Sequence, residues 1–247
     1  MPTPAIINKE VLEGEKCLSK GLKKGSIYVD ISTNSPETVL KIHSAMKKLG
    51  VEMLDAPINS CPVGTKSLKG IGLISIMVGG SKKTFEQVRP ILQLMADHVL
   101  YCGEISCGIQ CKLIHNAVNA IAVQAVSEGI TLALARGIDL QVIWDALRFG
   151  SFGQSAGDIH GLPHYWFSRR CDDPTQQIDF TTELLHKDVK LAFSMASEFN
   201  IPVPLMSLTI KDLEEAKQKG WSHHACTKVR CLQEERAGVI AKTSEVK

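Results

Sequence analysis

The sequence predicts an α/β layer of the doubly wound type over residues 1–106, followed by an all-α domain over residues 107–247. Two observations carry this prediction. In the first part, short β-branched segments alternate with segments of helical period, which is typical of a layered α/β sheet. After about residue 106 the strand signals stop, and every periodic segment indicates a helix. The 247 residues suffice for one large domain or two ordinary ones.

The α/β part is predicted to contain about four strands and two helices. The strands are expected at residues 26–32, 51–57, 73–80 and 98–103. The first helix has Ser35 as its N-cap and Pro36 in its first turn, and Gly50 ends it. The second helix is expected over residues 81–95 despite Pro90.

The second part begins with a helix predicted from about Cys107 to Arg136, about 45 Å long. Further helices are expected at residues 139–150, 180–200 and 203–220, the first of them capped by Asp139. The helix predicted from Cys107 to Arg136 is apolar on nearly every side, yet it contains Lys112. Burying an unpaired ammonium is costly, so Lys112 either has a function or extends its charged end to the surface.

Composition excludes several classes of function. The chain is 44% hydrophobic and 22% charged, which is typical of a globular protein. A net charge of +2 is too balanced to favour nucleic acid or an acidic membrane, and we expect neither a membrane-spanning run nor a secretory signal. The eight cysteines are interpreted as reduced thiols of a cytoplasmic protein, or of a mitochondrial one if the true N-terminus is missing. Their spacing predicts no metal site.

A dinucleotide-binding domain normally opens with a strand, a G-x-G-x-x-G turn and a helix. The nearest match is "GIGLIS", Gly70 to Ser75, which lacks the third glycine and precedes a strand. The predicted layer therefore corresponds to the C-terminal half of such a domain.

Four stretches, in order, resemble segments of the β-hydroxyacid dehydrogenase family, the group of 3-hydroxyisobutyrate dehydrogenase that is related to 6-phosphogluconate dehydrogenase. They read "VDISTNSPET", "DAPINSCPVGTKSLKGIGLISIMVGG", "GIQCKLIHN" and "LLHKDVKLA". The resemblance runs from Met1 to about Val229 and does not include the family's N-terminal glycine-rich unit. It implies a partial Rossmann-type sheet, a helical substrate and oligomerisation domain, and NAD or NADP as cofactor.

The resemblance also implies roles for individual residues. Lys112 would be the proton donor and acceptor, with Asn116 one turn further along the helix as its orienter. The implied substrate contacts are Asn59, Ser60, Cys61 and Ser151. The implied cofactor contacts are Ser32, Thr33, Lys187 and Asp188.

Two departures from the family pattern concern the substrate. Many members read Asp-Ala-Pro-Val-Ser-Gly-Gly where this chain reads "DAPINSC". We therefore expect a substrate other than hydroxyisobutyrate, its carboxylate held by Asn59, Ser60 and backbone donors. His115 replaces the first of the family's paired asparagines and is expected to pack or to support the site.

The expected function is NAD(P)-dependent interconversion of a small β-hydroxyacid and its semialdehyde. The alternative is a truncated or non-catalytic relative that only forms homo-oligomers through its helical domain. Because a central strand of the partial sheet would lack a partner, we also expect the isolated chain to associate or aggregate.

Overall fold

The structure, a computed structural model, describes residues 4–61, 73–150, 152 and 180–240. The chain divides into two compact units, residues 1–115 and 116–247. This division is one of packing, and the predicted domain boundary after residue 106 stays a prediction.

Unit 1 is built on one five-stranded sheet. Its strands are β1 (Ile27–Asp30), β2 (Glu52–Asp55), β3 (Ile58–Cys61), β4 (Leu73–Gly80) and β5 (His98–Gly103). The pairs β1–β2 and β4–β5 are parallel, whereas β4 runs antiparallel to both β2 and β3. The α/β fold class is confirmed, and the sheet is mixed.

Strand β3 is one of the elements that the sequence analysis does not predict, since the second predicted strand ends at residue 57. Asparagine and serine have low strand propensity, and four residues are too few to show a period of two. The strand forms because Ile58 pairs with Ile76, and Asn59 with Ser75, of β4. This tertiary pairing decides the conformation of the segment.

The helices of unit 1 are α1 (Pro4–Asn8), which continues as a π-helix over Lys9–Glu13, and then α2 (Pro36–Lys48) and α3 (Lys82–Met95). The predicted caps are confirmed, because the Ser35 side chain accepts a hydrogen bond from the Thr38 N–H at 3.2 Å. Gly50, which follows α2, has a φ of +68°. Pro90 lies inside α3 without ending it.

An apolar cluster joins α3 to the sheet. Its buried members are Leu54, Ala56, Ile76, Val78, Phe85, Val88, Leu92 and Ala96. Burial of a side chain of this size contributes about 1.5–3 kcal/mol. The cluster holds β2 and β4 together near their carboxyl ends, where Asp55 pairs with Gly79.

Unit 2 is helical, as predicted. Helix α4 (Cys107–Ala135) begins in unit 1 and continues here, followed by α5 (Leu140–Phe149), α6 (Thr182–Glu198), α7 (Pro204–Gln218), a 3-10 helix (Cys226–Val229) and α8 (Arg230–Ala237). The predicted cap of α5 is confirmed, since Asp139 accepts from the N–H groups of Gln141 and Val142 at 2.9 and 3.3 Å. The core between α4 and α5 contains Val123, Ile130, Leu140 and Trp144.

In the described part of the chain, one helix, α4, is long and apolar enough to cross a membrane by length and composition alone. This corrects the expectation that no apolar run reaches that size. A helix in a protein core passes the same test. Helix α4 fully buries Ile109, Leu113 and Ala117, whereas Val118 and Leu132 of the same helix are exposed.

Candidate active site

Lys112, in the second turn of α4, is buried, with 7% of its surface exposed. The alternative that its charged end extends to the surface is therefore wrong. Its Nζ donates a hydrogen bond to Oδ1 of Asn59 on β3 at 2.9 Å. A buried ammonium thus has a neutral amide oxygen as one acceptor, which offsets part of its lost hydration.

The same amide also contacts His115, an exposed residue one turn further along α4. The distance between Nδ2 of Asn59 and Nε2 of His115 is 3.2 Å. Because a lysine ammonium has no acceptor, the oxygen of the Asn59 amide faces Lys112 and its NH₂ group faces His115. Nε2 of His115 is then the acceptor of this hydrogen bond.

The start of α4 is fixed to the sheet by Asp55, which is 1% exposed. Its two carboxylate oxygens accept hydrogen bonds from the N–H groups of Ser106 and Ile109, each at 2.7 Å. Burial raises the pKa of the Asp55 carboxyl, against the effect of these two donors. The first turn of α4, just before Lys112, is therefore held at the carboxyl end of β2.

Gly108 shows why this turn needs a glycine. A methyl group at Gly108 would lie 2.7 Å from the carbonyl oxygen of Asp55 and 2.8 Å from the backbone nitrogen of Gly79. Contacts this short to backbone atoms leave no room for a side chain. The glycine of "GIQCKLIHN" thus lets the helix backbone approach the sheet directly.

Ser32 and Thr33, the predicted cofactor contacts, lie just beyond the carboxyl end of β1. Asp30 is buried there and accepts hydrogen bonds from the Ser32 N–H at 2.9 Å and from Nδ2 of Asn34 at 3.3 Å. In α/β sheets, ligands bind outside the carboxyl ends of the strands. Asp30 therefore fixes the turn that carries both residues at an edge suited to a ligand.

Three further predicted residues meet within unit 2. The amide of Asn116 donates a hydrogen bond to Oδ2 of Asp188 at 2.7 Å. Nζ of Lys187 forms an ion pair with Oδ1 of Asp188 at 3.0 Å. Asn116 and Asp188 are both buried, so the carboxylate is compensated by an amide and by a cation.

The other predicted substrate contacts are Ser60, Cys61 and Ser151. Ser60 and Cys61 belong to β3, in which they pair with Ile74 and Leu73 of β4. Ser151 lies outside the described residues. The roles given to these residues stay predictions, as do the roles given to the other site residues.

The sequence did not single out Asp30 or Asp55. A signal was available, since each aspartate stands directly at the end of a predicted strand, in "YVDIS" and "MLDAP". Within residues 4–61, 73–150, 152 and 180–240, no group of three or more His, Cys, Asp and Glu side chains is placed to hold a metal ion.

Two protein-family models match successive parts of the chain. Residues 5–103 match the model of the NAD binding domain of 6-phosphogluconate dehydrogenase. Residues 107–230 match the model described as NAD-binding of NADP-dependent 3-hydroxyisobutyrate dehydrogenase. The class is thus a Rossmann-like, NAD-binding α/β fold followed by a helical domain. The chain belongs to the β-hydroxyacid dehydrogenase family of the 3-hydroxyisobutyrate dehydrogenase type.

Curated relatives include the mitochondrial 3-hydroxyisobutyrate dehydrogenase of Mus musculus, which is 28% identical over 228 residues, 89% of this chain and 64% of that protein. The 2-hydroxy-3-oxopropionate reductase of Escherichia coli is 30% identical over 202 residues, 82% of this chain and 65% of that protein. The chain thus spans about two thirds of the length of these relatives. A solved 3-hydroxyisobutyrate dehydrogenase from Salmonella typhimurium aligns with a TM-score of 0.73 at 22% identity, covering 94% of this chain and 77% of that one, and establishes the fold.

Proposed function

We propose that this chain acts in NAD(P)-dependent interconversion of a small β-hydroxyacid and its semialdehyde, with Lys112 as proton donor and acceptor. The observation that carries the proposal is the buried ammonium of Lys112, hydrogen-bonded to Asn59. Family membership supports it, and the names of the relatives supply the substrate class.

Reduction of an aldehyde adds a hydride to carbon and a proton to oxygen. NAD(P)H supplies the hydride when bound. Lys112 would hold the carbonyl oxygen by a hydrogen bond, stabilise the negative charge that develops there, and donate the proton from Nζ. In the oxidation direction the neutral amine would accept the hydroxyl proton. Asp55 holds the start of α4 and thereby fixes the backbone that precedes Lys112.

For the nicotinamide end of such a cofactor, we keep Ser32, Thr33, Lys187 and Asp188 as proposed contacts, each argued from its own unit. Ser32 and Thr33 lie in a turn that Asp30 fixes at the carboxyl end of β1. Lys187 supplies a cation beside the buried Asp188. The described ranges contain no counterpart of the glycine-rich turn that holds the pyrophosphate in related folds. The proposal therefore assigns to this chain the contacts at the nicotinamide end.

For the substrate, we keep Asn59, Ser60, Cys61 and Ser151 as proposed contacts. The segment "DAPINSC" carries side-chain amide, hydroxyl and thiol groups. Such a segment favours a carboxylate held by side chains and strand N–H groups, and a hydroxyacid other than hydroxyisobutyrate.

The first test is a fluorescence titration of NADH and NADPH into the purified chain, followed by turnover with a panel of β-hydroxyacids. Lys112→Met keeps an unbranched side chain of nearly the same length and removes the ammonium group. We expect it to lower kcat about 10²–10⁴-fold and to leave nucleotide affinity near the wild-type value. Lys82→Met, at an exposed lysine of α3, is the matched control. Turnover by Lys112→Met at the wild-type rate would contradict the proposed role.

We also propose that the chain forms homo-oligomers through the helical unit. In the non-catalytic alternative, this association would be the function that the chain retains. Large apolar side chains are exposed on three helices of this unit, namely Val118, Leu132, Val142, Phe149, Leu205 and Leu208. Exposed apolar side chains of this size are found at protein–protein interfaces when they form a patch. Sedimentation velocity of wild type and Leu132→Lys would test it, with a shift to smaller species expected for the variant. Oligomers without turnover would favour the non-catalytic alternative.

A further inference from the structure

We propose that His115 is a positioning residue for Lys112 and that it acts through the Asn59 amide. This inference deepens the proposed function, on which its catalytic meaning rests. It also gives Asn59 a role inside the protein, as the link between Lys112 and His115, in addition to the substrate contact proposed above. The positioning itself is a property of the folded chain and has a test that needs no turnover.

The geometry is a chain of two hydrogen bonds. Nζ of Lys112 donates to Oδ1 of Asn59 at 2.9 Å, and Nδ2 of Asn59 lies 3.2 Å from Nε2 of His115. The lysine and the histidine lie on α4, whereas the asparagine lies on β3. One amide thus connects two side chains of the helix to one strand of the sheet.

An asparagine amide has no strong intrinsic preference between its two orientations, because its terminal torsion is broad and roughly two-fold. With the oxygen towards Lys112, the ammonium has an acceptor. With the amide turned over, the NH₂ group would face the ammonium, and two donors would oppose each other. An acceptor on the far side of the amide selects the first orientation, and Nε2 of His115 lies at that place.

His115 is exposed, so its substitution is expected to leave the core of unit 1 intact. His115→Phe keeps a ring and removes the acceptor. His115→Gln restores an acceptor, because its side-chain oxygen reaches to about the position of Nε2. Asn59→Leu keeps the bulk of the amide and removes the acceptor for Lys112. His98→Phe, at an exposed histidine of β5, is the matched control.

The experiment is acetylation of the folded chain by a limiting amount of acetic anhydride, with the rate at each lysine read by mass spectrometry. An ammonium that has lost a hydrogen-bond acceptor reacts faster through its neutral form. We expect Asn59→Leu to raise the rate at Lys112 roughly tenfold and His115→Phe to raise it several-fold. His115→Gln and His98→Phe should stay within about twofold of wild type.

Lys187 reports whether an effect is local. It belongs to unit 2 and is paired with the buried Asp188, so its rate should be the same in all variants. An unchanged Lys112 rate in His115→Phe, or a rise at Lys112 and Lys187 together, would overturn the inference. Failure of His115→Gln to restore the wild-type rate would also overturn it.

If the chain turns over substrate, His115→Phe should lower kcat several-fold and change KM little, because the affected group would act in proton transfer. If the wild type shows no turnover, the acetylation rates still decide the positioning role. Loss of the proposed function and loss of the proposed positioning are therefore distinguishable.

Discussion

Replacing Asp55 should loosen the start of helix α4 and thereby the placement of Lys112. Asp55 is buried, and its two oxygens each accept a backbone N–H at 2.7 Å, from Ser106 and Ile109. Asp55→Asn keeps one oxygen and turns an NH₂ group towards the other donor. Asp55→Ala removes both acceptors and leaves two buried N–H groups without them.

The magnitude follows from these contacts. A hydrogen bond to a charged group contributes about 1.5–3 kcal/mol, and a buried donor left unsatisfied costs about 1–3 kcal/mol. For Asp55→Ala two donors are affected, so we expect a loss of about 2–6 kcal/mol in the free energy of unfolding. Burial raises the pKa of the Asp55 carboxyl, which shows that its charge is unfavourably solvated. Asp55→Asn relieves this penalty, so we expect a smaller loss of about 1–2 kcal/mol.

Urea unfolding gives the free energies, and native-state hydrogen exchange at the amides of Ser106 and Ile109 gives the local effect. Asp139→Ala is the matched control, since one oxygen of this exposed carboxylate also accepts two backbone N–H groups at a helix start. It should cost about 1 kcal/mol and leave exchange at Ile109 unchanged. An Asp55→Asn variant as stable as wild type, with Ile109 exchanging no faster, would refute the reasoning.

Two further predictions concern backbone approach and pH. Gly108→Ala should destabilise unit 1 by about 1–3 kcal/mol, because the added methyl group would meet backbone atoms. Gly129→Ala, in the same helix but with open space around it, should be stabilising by about 0.5–1 kcal/mol. Equal thermal midpoints for the two variants would contradict this prediction. Burial, and then the charge of Lys217 at 3.2 Å, lowers the pKa of His186. His186 therefore binds a proton more readily in the unfolded chain than in the folded one. The free energy of unfolding should be highest above about pH 6.5 and should decrease as the pH falls below that value. Between pH 7.5 and about 5, the urea midpoint of His186→Gln should decrease less than that of the wild type. An equal decrease in both proteins would show that His186 is not the group responsible.

Local signals in the sequence sufficed for the regular elements. Ser35 with Pro36 predicts the start of α2, and Asp139 predicts the start of α5, because each places a capping oxygen before a segment of helical period. These features lie within a few residues of one another along the chain. They could be predicted because the hydrogen bonds that define them are local.

The surroundings of Lys112 could not be predicted in this way. Its acceptor, Asn59, is 53 residues away in sequence and lies on a strand that forms only by pairing with β4. Propensity favours a loop for "INSC", and a loop would give the Asn59 amide no fixed position. The sequence identified Lys112 and Asn59 as site residues by resemblance, but the hydrogen bond between them depends on tertiary register.

The segment from Asp55 to Asn59 holds helix α4 at two levels. Asp55 binds the backbone of the first turn of the helix, and Asn59 binds the side chain of Lys112 one turn later. Because both contacts originate within five consecutive residues that join β2 to β3, a displacement of this segment would move the helix start and the lysine together. A lysine in an apolar helix is thereby fixed relative to the sheet by an acceptor that lies 53 residues away in sequence. Buried polar networks of this kind are stable when their members are satisfied, and a change in one member affects the others.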